Sequence, residues 1–128
     1  TLLWDFGYRE AFPDLKYENA AVLLTRVISK PSIDCITLDL GHKAVAAENP
    51  HPRVQFTGLD NAEPLVHSEE HLTLRTAEAR RFNVGDCLSG IPRPICPTVA
   101  LYDRAHVIRG GKFADQWQVT ARARKLTY

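Results

Sequence analysis

The sequence has neither an excess of one charge nor a long apolar run. Its 16 lysines and arginines are matched by 15 acidic residues, for a net charge of +1. This balance is not typical of proteins that bind nucleic acid or membrane surfaces. No apolar run approaches the roughly 20 residues that a membrane-spanning helix needs, and no signal-peptide pattern opens the chain. The sequence therefore predicts a protein with no nucleic-acid partner and no membrane partner. Its one basic cluster, residues 121–125, is expected to be a solvated strand end.

Two common catalytic motifs are also missing. Ser89-Gly90 lacks the partner glycine of a Gly-x-Ser-x-Gly elbow, and no histidine can be assigned to that serine. Gly110-Gly111 is too short for a glycine-rich phosphate loop and lies between two predicted strands. The sequence thus argues against a serine hydrolase and against a phosphate-loop enzyme.

Cysteine is scarce, and the chain opens without methionine. The three cysteines, Cys35, Cys87 and Cys96, are an odd number and form no Cys-x-x-Cys pair. Without a secretory signal, this favours reduced thiols and a cytoplasmic protein. The chain begins at Thr1 and continues at once into a strand-like segment, Leu2–Phe6. We expect a chain that starts inside a longer protein, from which an N-terminal part was removed or this domain excised.

What the sequence does contain is a series of short strand-like segments. They recur every 8–14 residues or so, separated by eight prolines and seven glycines, which is typical of a barrel or sandwich. We predict a single all-β domain over residues 1–128, with few short helical turns, one of them at His42–Ala47. The predicted strands are Ala20–Ile28, Ile33–Leu40, Arg53–Thr57, two within Leu65–Ala77, Cys87–Ile91, Val99–Tyr102, His106–Arg109 and Phe113–Ala123.

The segment Ile91–Asp103 places a thiol between two prolines. Pro94 and Pro97 fix the backbone on either side of Cys96, which predicts a stiff, extended lead-in to the strand that follows. A cysteine held in this way is either a packed apolar group or a ligand. The residues alone leave both interpretations open.

Two histidines four residues apart, His67 and His71, are a second candidate. A zinc-protease helix needs glutamate directly after the first histidine, where this chain has Ser68. The flanking residues are strand-like, so His67, Glu69 and His71 would share one face of a strand. A polar hairpin is favoured over a metal site.

A third candidate is Asp39-Leu40-Gly41-His42-Lys43, at the end of a predicted strand. Side chains at such positions often face a cleft, although a turn with solvated charges is the simpler interpretation. Gly41 is expected to turn the chain sharply through a positive φ.

Four stretches together resemble the C-terminal β domain of the D-threonine aldolase and D-serine dehydratase family. These are pyridoxal-phosphate enzymes of fold type III, related to alanine racemase. The resemblance follows the same order and spacing across nearly the whole chain, although each motif alone is weak. It rests on residues 4–8 with 12–14, residues 25–31 with 38–44, residues 68–71, and residues 84–86 through 95–103 and 107–111.

The resemblance implies a D-amino-acid lyase (aldolase or dehydratase) or racemase built from two domains. An N-terminal (β/α)8 barrel, absent from this chain, would bind pyridoxal phosphate through a Schiff-base lysine. The β domain would close the active site over a small D-amino-acid substrate and support a homodimer. None of the lysines in this chain is then the Schiff-base lysine, and the chain by itself is expected to be inactive.

The resemblance also implies a divalent metal, such as zinc, held by a histidine and, two residues later, a cysteine or aspartate. Cys96 matches the second position, but Pro94 stands at the histidine position and offers no lone pair. A site with one protein ligand is degenerate, since stable zinc sites use at least three. Three explanations of the missing ligand remain open. Another residue, such as His71, takes the place of the histidine ligand; the protein works without a metal; or the protein has lost its activity. In a metal-free enzyme, His71 or Tyr102 could exchange the hydroxyl proton as catalytic residues.

Overall fold

The computed structural model describes residues 3–127, which contain eight strands and two short α-helices. Two 3₁₀ helices, Ala77–Arg81 and Thr120–Arg122, complete the regular structure. The other elements are α1 (Phe6–Ala11), β1 (Leu23–Ser32), β2 (Cys35–Leu38), β3 (Val54–Phe56), β4 (Glu63–His67), β5 (Leu72–Arg75), β6 (Cys87–Pro92), α2 (Ile95–Val99), β7 (Arg104–Arg109) and β8 (Lys112–Gln118).

Six of the strands form one curled antiparallel sheet in the order β3-β6-β1-β2-β5-β4. β1 alternates as expected for a strand with one buried face, since Leu23, Thr25 and Val27 are buried and the residues between them are exposed. All four residues of β2 are buried. The core therefore lies inside the curl, where it includes Ile36, Leu38, Leu40, Val45, Leu72, Leu74 and Leu88. The predicted fold class, a mostly β, barrel-like domain with short helical turns, is confirmed.

The curl does not close into a complete barrel. β3 and β4 are the two edge strands, and residues of both line a cleft of about 690 Å³. The floor of this cleft includes core side chains such as Val54, Phe56 and Leu72. The sheet thus presents an open half-barrel whose interior is reached between its edges.

The strand predicted at the start of the chain is wrong, although Leu2 lies outside the described residues. Phe6 begins α1, and the Asp5 carboxylate accepts the Tyr8 backbone N–H at 2.9 Å. A carboxylate that caps free N–H groups favours a helix start over a strand. Phe6, which is 1% exposed, then anchors the helix to the body of the domain.

The strand predicted at the end of the chain is too long. β8 stops at Gln118, and the chain turns through the 3₁₀ helix Thr120–Arg122. Val119 N–H donates to the Asp103 carbonyl at 2.8 Å, and Arg122 forms an ion pair with the Asp103 side chain. These contacts draw the chain back toward α2, so the exposed basic cluster 121–125 lies in and after a helical turn rather than at a strand end.

β7 and β8 form a separate two-stranded hairpin. Gly110 and Gly111 have φ values of 55° and 74°, as a tight two-residue hairpin turn requires, so the predicted turn is confirmed. Three large apolar side chains on the hairpin, Ile108, Phe113 and Trp117, are each more than half exposed. No helix within residues 3–127 has the length and apolar character to cross a membrane.

Candidate functional site

Cys96 lies in a helix, not in the extended lead-in to a strand that the sequence predicted. α2 covers Ile95–Val99, and Pro94 caps it in the extended conformation. Pro97 is compatible with this helix because it stands in the first turn, where backbone N–H groups have no helical partner. The strand predicted at Val99–Tyr102 is therefore wrong, because its first residue ends α2 and the turn that follows runs to β7 at Arg104.

Tertiary contacts explain why this short segment is helical. The buried Asp5 carboxylate accepts the Ile95 N–H at 2.9 Å, as well as the N–H that it caps in α1. The Thr98 hydroxyl donates to the Pro94 carbonyl at 2.8 Å and accepts the Ala46 N–H at 3.1 Å. None of these partners is close to α2 in sequence except Pro94. Local pattern alone could not have revealed the helix.

The donor set around Cys96 does not fit the metal that the resemblance implies. Cys96 is an exposed free thiol, and the Pro94 ring has no atom that could bind a cation. In the described part of the chain, no group of three His, Cys, Asp or Glu side chains is arranged to hold a metal ion. We therefore derive no chemical step through a metal at this position.

A second, shallower cleft of about 410 Å³ adjoins Pro94. α1 and its two capping residues, Asp5 and Phe12, form one wall. Arg93 forms another wall, and its guanidinium lies over the Phe6 ring, 5.1 Å from the ring centre. The N-terminal segment and Arg93–Pro94, which are far apart in sequence, thus line the same cleft.

The segment Asp39–Lys43 packs against the β4–β5 turn and is not a free, solvated turn. His42 and Lys43 donate backbone N–H bonds to the carbonyls of Ser68 and Glu69 at 2.9 and 3.0 Å. The Lys43 ammonium lies 2.6 Å from a Glu70 carboxylate oxygen and 3.3 Å from one of Glu69. Hydrogen bonding to Glu70 and then to Glu69 raises the pKa of Lys43. A nucleophilic lysine needs the opposite shift, so Lys43 is not suited to that role.

Gly41 is required by a close approach, not by the positive φ that the sequence predicted. The positive-φ glycines within the described residues are 58, 85, 110 and 111. A Cβ atom on Gly41 would overlap the backbone of Glu69 and Glu70. Glycine therefore allows the loop to pack directly on the β4–β5 turn.

The two predicted catalytic residues lie on different elements. His71 is exposed at the β4–β5 turn, where its backbone carbonyl accepts the Ser68 N–H at 2.9 Å. Tyr102 follows α2, and its hydroxyl donates to the Ala44 carbonyl at 2.7 Å. Burial, and secondarily the charge of Asp39, raises the pKa of Tyr102. The Tyr102 hydroxyl is thus a protonated donor already engaged with the backbone.

His67 does not pair with His71; it joins a cluster that the sequence did not predict. Its ring centre lies 4.4 Å from that of His42 and 5.4 Å from that of His51. Arg53 completes the group, with its Nη1 atom 2.9 Å from His67 Nδ1. We call these four residues the histidine cluster. They come from three separate segments, so no sequence spacing could have indicated it.

The hydrogen bonds of His67 determine its tautomer. The Leu40 carbonyl can only accept, so the Nε2 atom, 3.1 Å away, carries the proton and donates. Nδ1 then accepts from the Arg53 guanidinium. Burial, then the charges of His42, Arg53 and His51, lower the pKa of His67 to about 4. His67 is therefore neutral at physiological pH, with both ring nitrogens engaged.

Comparison with known proteins extends the resemblance seen in the sequence. The chain is 32% identical over 119 residues to a D-threonine aldolase of an Arthrobacter species, covering 92% of this chain but 31% of that protein. It is 30% identical over 115 residues to an uncharacterised protein of Mycobacterium tuberculosis, covering 87% of this chain and 86% of that protein. The chain thus spans about a third of the aldolase but most of the mycobacterial relative.

Solved structures agree on the fold. The crystal structure of D-threonine aldolase from Filomicrobium marinum superimposes on 94% of this chain with a TM-score of 0.83 at 24% identity. The superimposed part is 33% of the aldolase chain. D-threo-3-hydroxyaspartate dehydratase from a Delftia species superimposes on 91% of this chain with a TM-score of 0.72 at 18% identity. The superimposed part is 36% of the dehydratase chain. The family model described as "Putative serine dehydratase domain" matches residues 20–108. The chain therefore belongs to the D-serine dehydratase domain family, whose relatives include D-threonine aldolase.

Proposed function

We propose that this chain is the active-site-closing β domain of a pyridoxal-phosphate-dependent D-amino-acid aldolase or dehydratase, with a degenerate metal site. One observation carries the proposal. The chain resembles a D-threonine aldolase over 92% of its length, yet Pro94 stands where the resemblance implies a metal-binding histidine. On this proposal the protein is cytoplasmic, and its substrate is a small D-amino acid.

The cofactor belongs to a barrel domain of the same polypeptide on this proposal. Two of the described lysines already have other partners. Lys43 is paired with two glutamates, and Lys30 donates to the Phe82 carbonyl at 2.6 Å. When bound by the barrel, pyridoxal phosphate would supply an electron sink for the bond that breaks at the substrate α-carbon. Adding the cofactor to the 128-residue chain is expected to produce no Schiff-base absorbance, and an absorbance band that borohydride fixes to a lysine would contradict this.

Closing the active site is the role proposed for the surface around Pro94 and the Asp39–Lys43 loop. The Tyr102 hydroxyl links the turn after α2 to Ala44, directly after the loop, and the loop in turn packs on the β4–β5 turn that contains His71. His71 is exposed and can exchange a proton with a substrate hydroxyl on this face. Tyr102 would first have to release the Ala44 carbonyl, so His71 is the better placed of the two.

The metal part of the proposal is tested by restoring the missing ligand. Pro94→His in the 128-residue chain places an imidazole two residues before Cys96, as the resemblance implies. We expect the wild-type chain to retain substoichiometric zinc after purification and dialysis, and the variant to retain more. Pro94→Ala is the matched control, because it removes the proline without adding a ligand. Zinc bound stoichiometrically and tightly through Cys96 in the wild type would contradict a degenerate site.

Association is the other proposed role, and the β7–β8 hairpin is the surface that supports it. A two-stranded hairpin alone is marginally stable in water. Ile108, Phe113 and Trp117 are 59%, 63% and 57% exposed, an arrangement typical of surfaces that a partner covers. We propose that these side chains contribute to a homodimer interface.

Light scattering of the 128-residue chain tests the homodimer. Phe113→Lys is expected to shift the mass from dimer to monomer. Ile33→Lys is the matched control, since Ile33 is similarly exposed, at 66%, but lies between β1 and β2. A monomeric wild type, or equal dissociation by both variants, would count against the hairpin as the dimer interface.

A second candidate function is a catalytically silent association module. The mycobacterial relative favours it, because this chain spans 86% of that protein and the relative therefore has little room for a barrel domain. Intact-mass measurement of the polypeptide in its native cells separates the two candidates. A mass about three times that of the 128 residues, with activity on D-threonine or D-serine, supports the enzyme domain. A mass near 14.4 kDa supports the module.

A further inference from the structure

We propose that the histidine cluster is a binding site for an oxyanion, either a carboxylate or a phosphate group. The site consists of His42, His51, His67 and Arg53. It is separate from the Pro94–Cys96 segment and does not depend on the proposed function.

The four side chains converge although they come from separate segments. His42 follows β2, His51 and Arg53 precede β3, and His67 ends β4. The ring-centre distances of 4.4 and 5.4 Å place both other imidazoles around His67. The cluster stands at one side of the open half-barrel, since His51 and Arg53 also line the 690 Å³ cleft between the edge strands.

The charges acting on the cluster are all of one sign. The charged side chains that lower the pKa of His67 are His42, Arg53 and His51, and those that lower the pKa of His51 are Arg53 and His42. No carboxylate in the described chain contributes to either shift. Basic groups gathered without a compensating acid attract an anion.

Two of the nearby charged side chains, Lys43 and Glu10, are paired with other partners. Lys43, next to His42, is bound by Glu69 and Glu70. Glu10 and Asp60 line the large cleft together with His51, but Glu10 forms an ion pair with Arg93 at 3.7 Å. Neither of these two carboxylates is among the charges that act on His51.

The hydrogen bonds of His67 argue against a metal ion in the cluster. His67 donates through Nε2 to the Leu40 carbonyl and accepts through Nδ1 from Arg53, so neither nitrogen has a free lone pair for a metal ion. With both nitrogens engaged, His67 positions the Arg53 guanidinium rather than donating to the anion itself. A guanidinium within hydrogen-bond distance also repels a cation. Arg53 uses only two of its five N–H donors in its contacts with Asn49 and His67, so it can offer others to an oxyanion. Arginine is well suited to carboxylate and phosphate groups because its planar donors match their geometry.

Imidazole resonances provide the direct test in the 128-residue chain. We expect added inorganic phosphate or malonate, at constant ionic strength, to shift the resonances of His42, His51 and His67 together. Both anions should also raise the pKa of His51, since a bound anion stabilises its charged form. His106, on the separate hairpin, is the internal control. If only phosphate shifts the resonances, the oxyanion is a phosphate group; if only malonate does, it is a carboxylate. Either response supports the site.

Two variants test whether the cluster itself binds. Arg53→Gln is expected to weaken binding on the order of tenfold through loss of charge-assisted hydrogen bonds. Because Arg53 also supports the fold, His51→Asn provides a second variant at an exposed position. His106→Asn should bind as the wild type does. The proposal is overturned if the three imidazoles respond no more to phosphate or malonate than to chloride. It is also overturned if zinc binds at these imidazoles in preference to either anion, or if His106→Asn weakens binding equally.

Discussion

Acidification from about pH 6.5 to about pH 4 is expected to destabilise the domain through His67. The unfolded chain protonates this imidazole below its ordinary value of 6.5, whereas the folded protein resists protonation until about 4. The unfolded state therefore binds more protons between these values. The contribution of His67 to the free energy of unfolding should be fully present above about pH 6.5 and fall as the pH drops through this window. Lowering the pKa from 6.5 to about 4 corresponds to about 3.4 kcal/mol, which screening at the half-buried ring reduces to about 1–2 kcal/mol.

His67→Gln isolates this contribution. Glutamine stays neutral, and it can both accept from Arg53 and donate to the Leu40 carbonyl. Chemical denaturation from neutral pH to about pH 4 should show the wild type losing about 1–2 kcal/mol more than the variant. His51 has a lowered pKa as well and acts in the same direction, but it is present in both proteins. Asp34, whose pKa is lowered by the Ser32 hydroxyl, stabilises the fold above its ordinary value of 3.8 and loses this effect only at lower pH.

Parallel curves for the wild type and His67→Gln between about pH 6.5 and 4 would show that His67 is not held neutral by its surroundings. His106→Gln, on the separate hairpin, controls for the general effect of removing a histidine. A directly measured imidazole pKa near the ordinary value for His67 would refute the reasoning in the same way.

Three further changes test the packing of the site by chemical denaturation. Gly41→Ala should lower the free energy of unfolding by about 1–3 kcal/mol because the new methyl group meets the rigid backbone of Glu69. Gly58→Ala is the control: a methyl group there meets no other atom, and the only cost comes from the positive φ of that residue. Asp5→Ala removes an acceptor shared by the first N–H groups of both helices and should cost about 2–4 kcal/mol, whereas a loss under about 0.5 kcal/mol would contradict this role. Tyr102→Phe should cost about 1 kcal/mol by freeing a backbone carbonyl, and an unchanged midpoint would show that the hydrogen bond contributes nothing.

The strands were predictable where alternation reflects a single buried face. Leu23, Thr25 and Val27 point into the core, and this period of two is visible in the sequence before any partner strand is known. The hairpin turn at Gly110-Gly111 was equally predictable, because the positive φ values needed there restrict the residue type. The two α-helices were not predictable. Each is shorter than two turns and depends on Asp5, which for α2 is 90 residues away in sequence.

The sequence by itself determined the family resemblance, the mostly β architecture and the presence of a proline, without a lone pair to donate, two residues before Cys96. Each of these depends on residue identity or on short periodicity, which the chain displays locally. Only the tertiary structure decided that Cys96 lies on a helix, that Gly41 permits a backbone contact, and that His42, His51 and Arg53 surround His67. These features join segments distant in the chain, and the physical cause is the curl of the sheet, which brings the ends of β2 and β4 beside the start of β3.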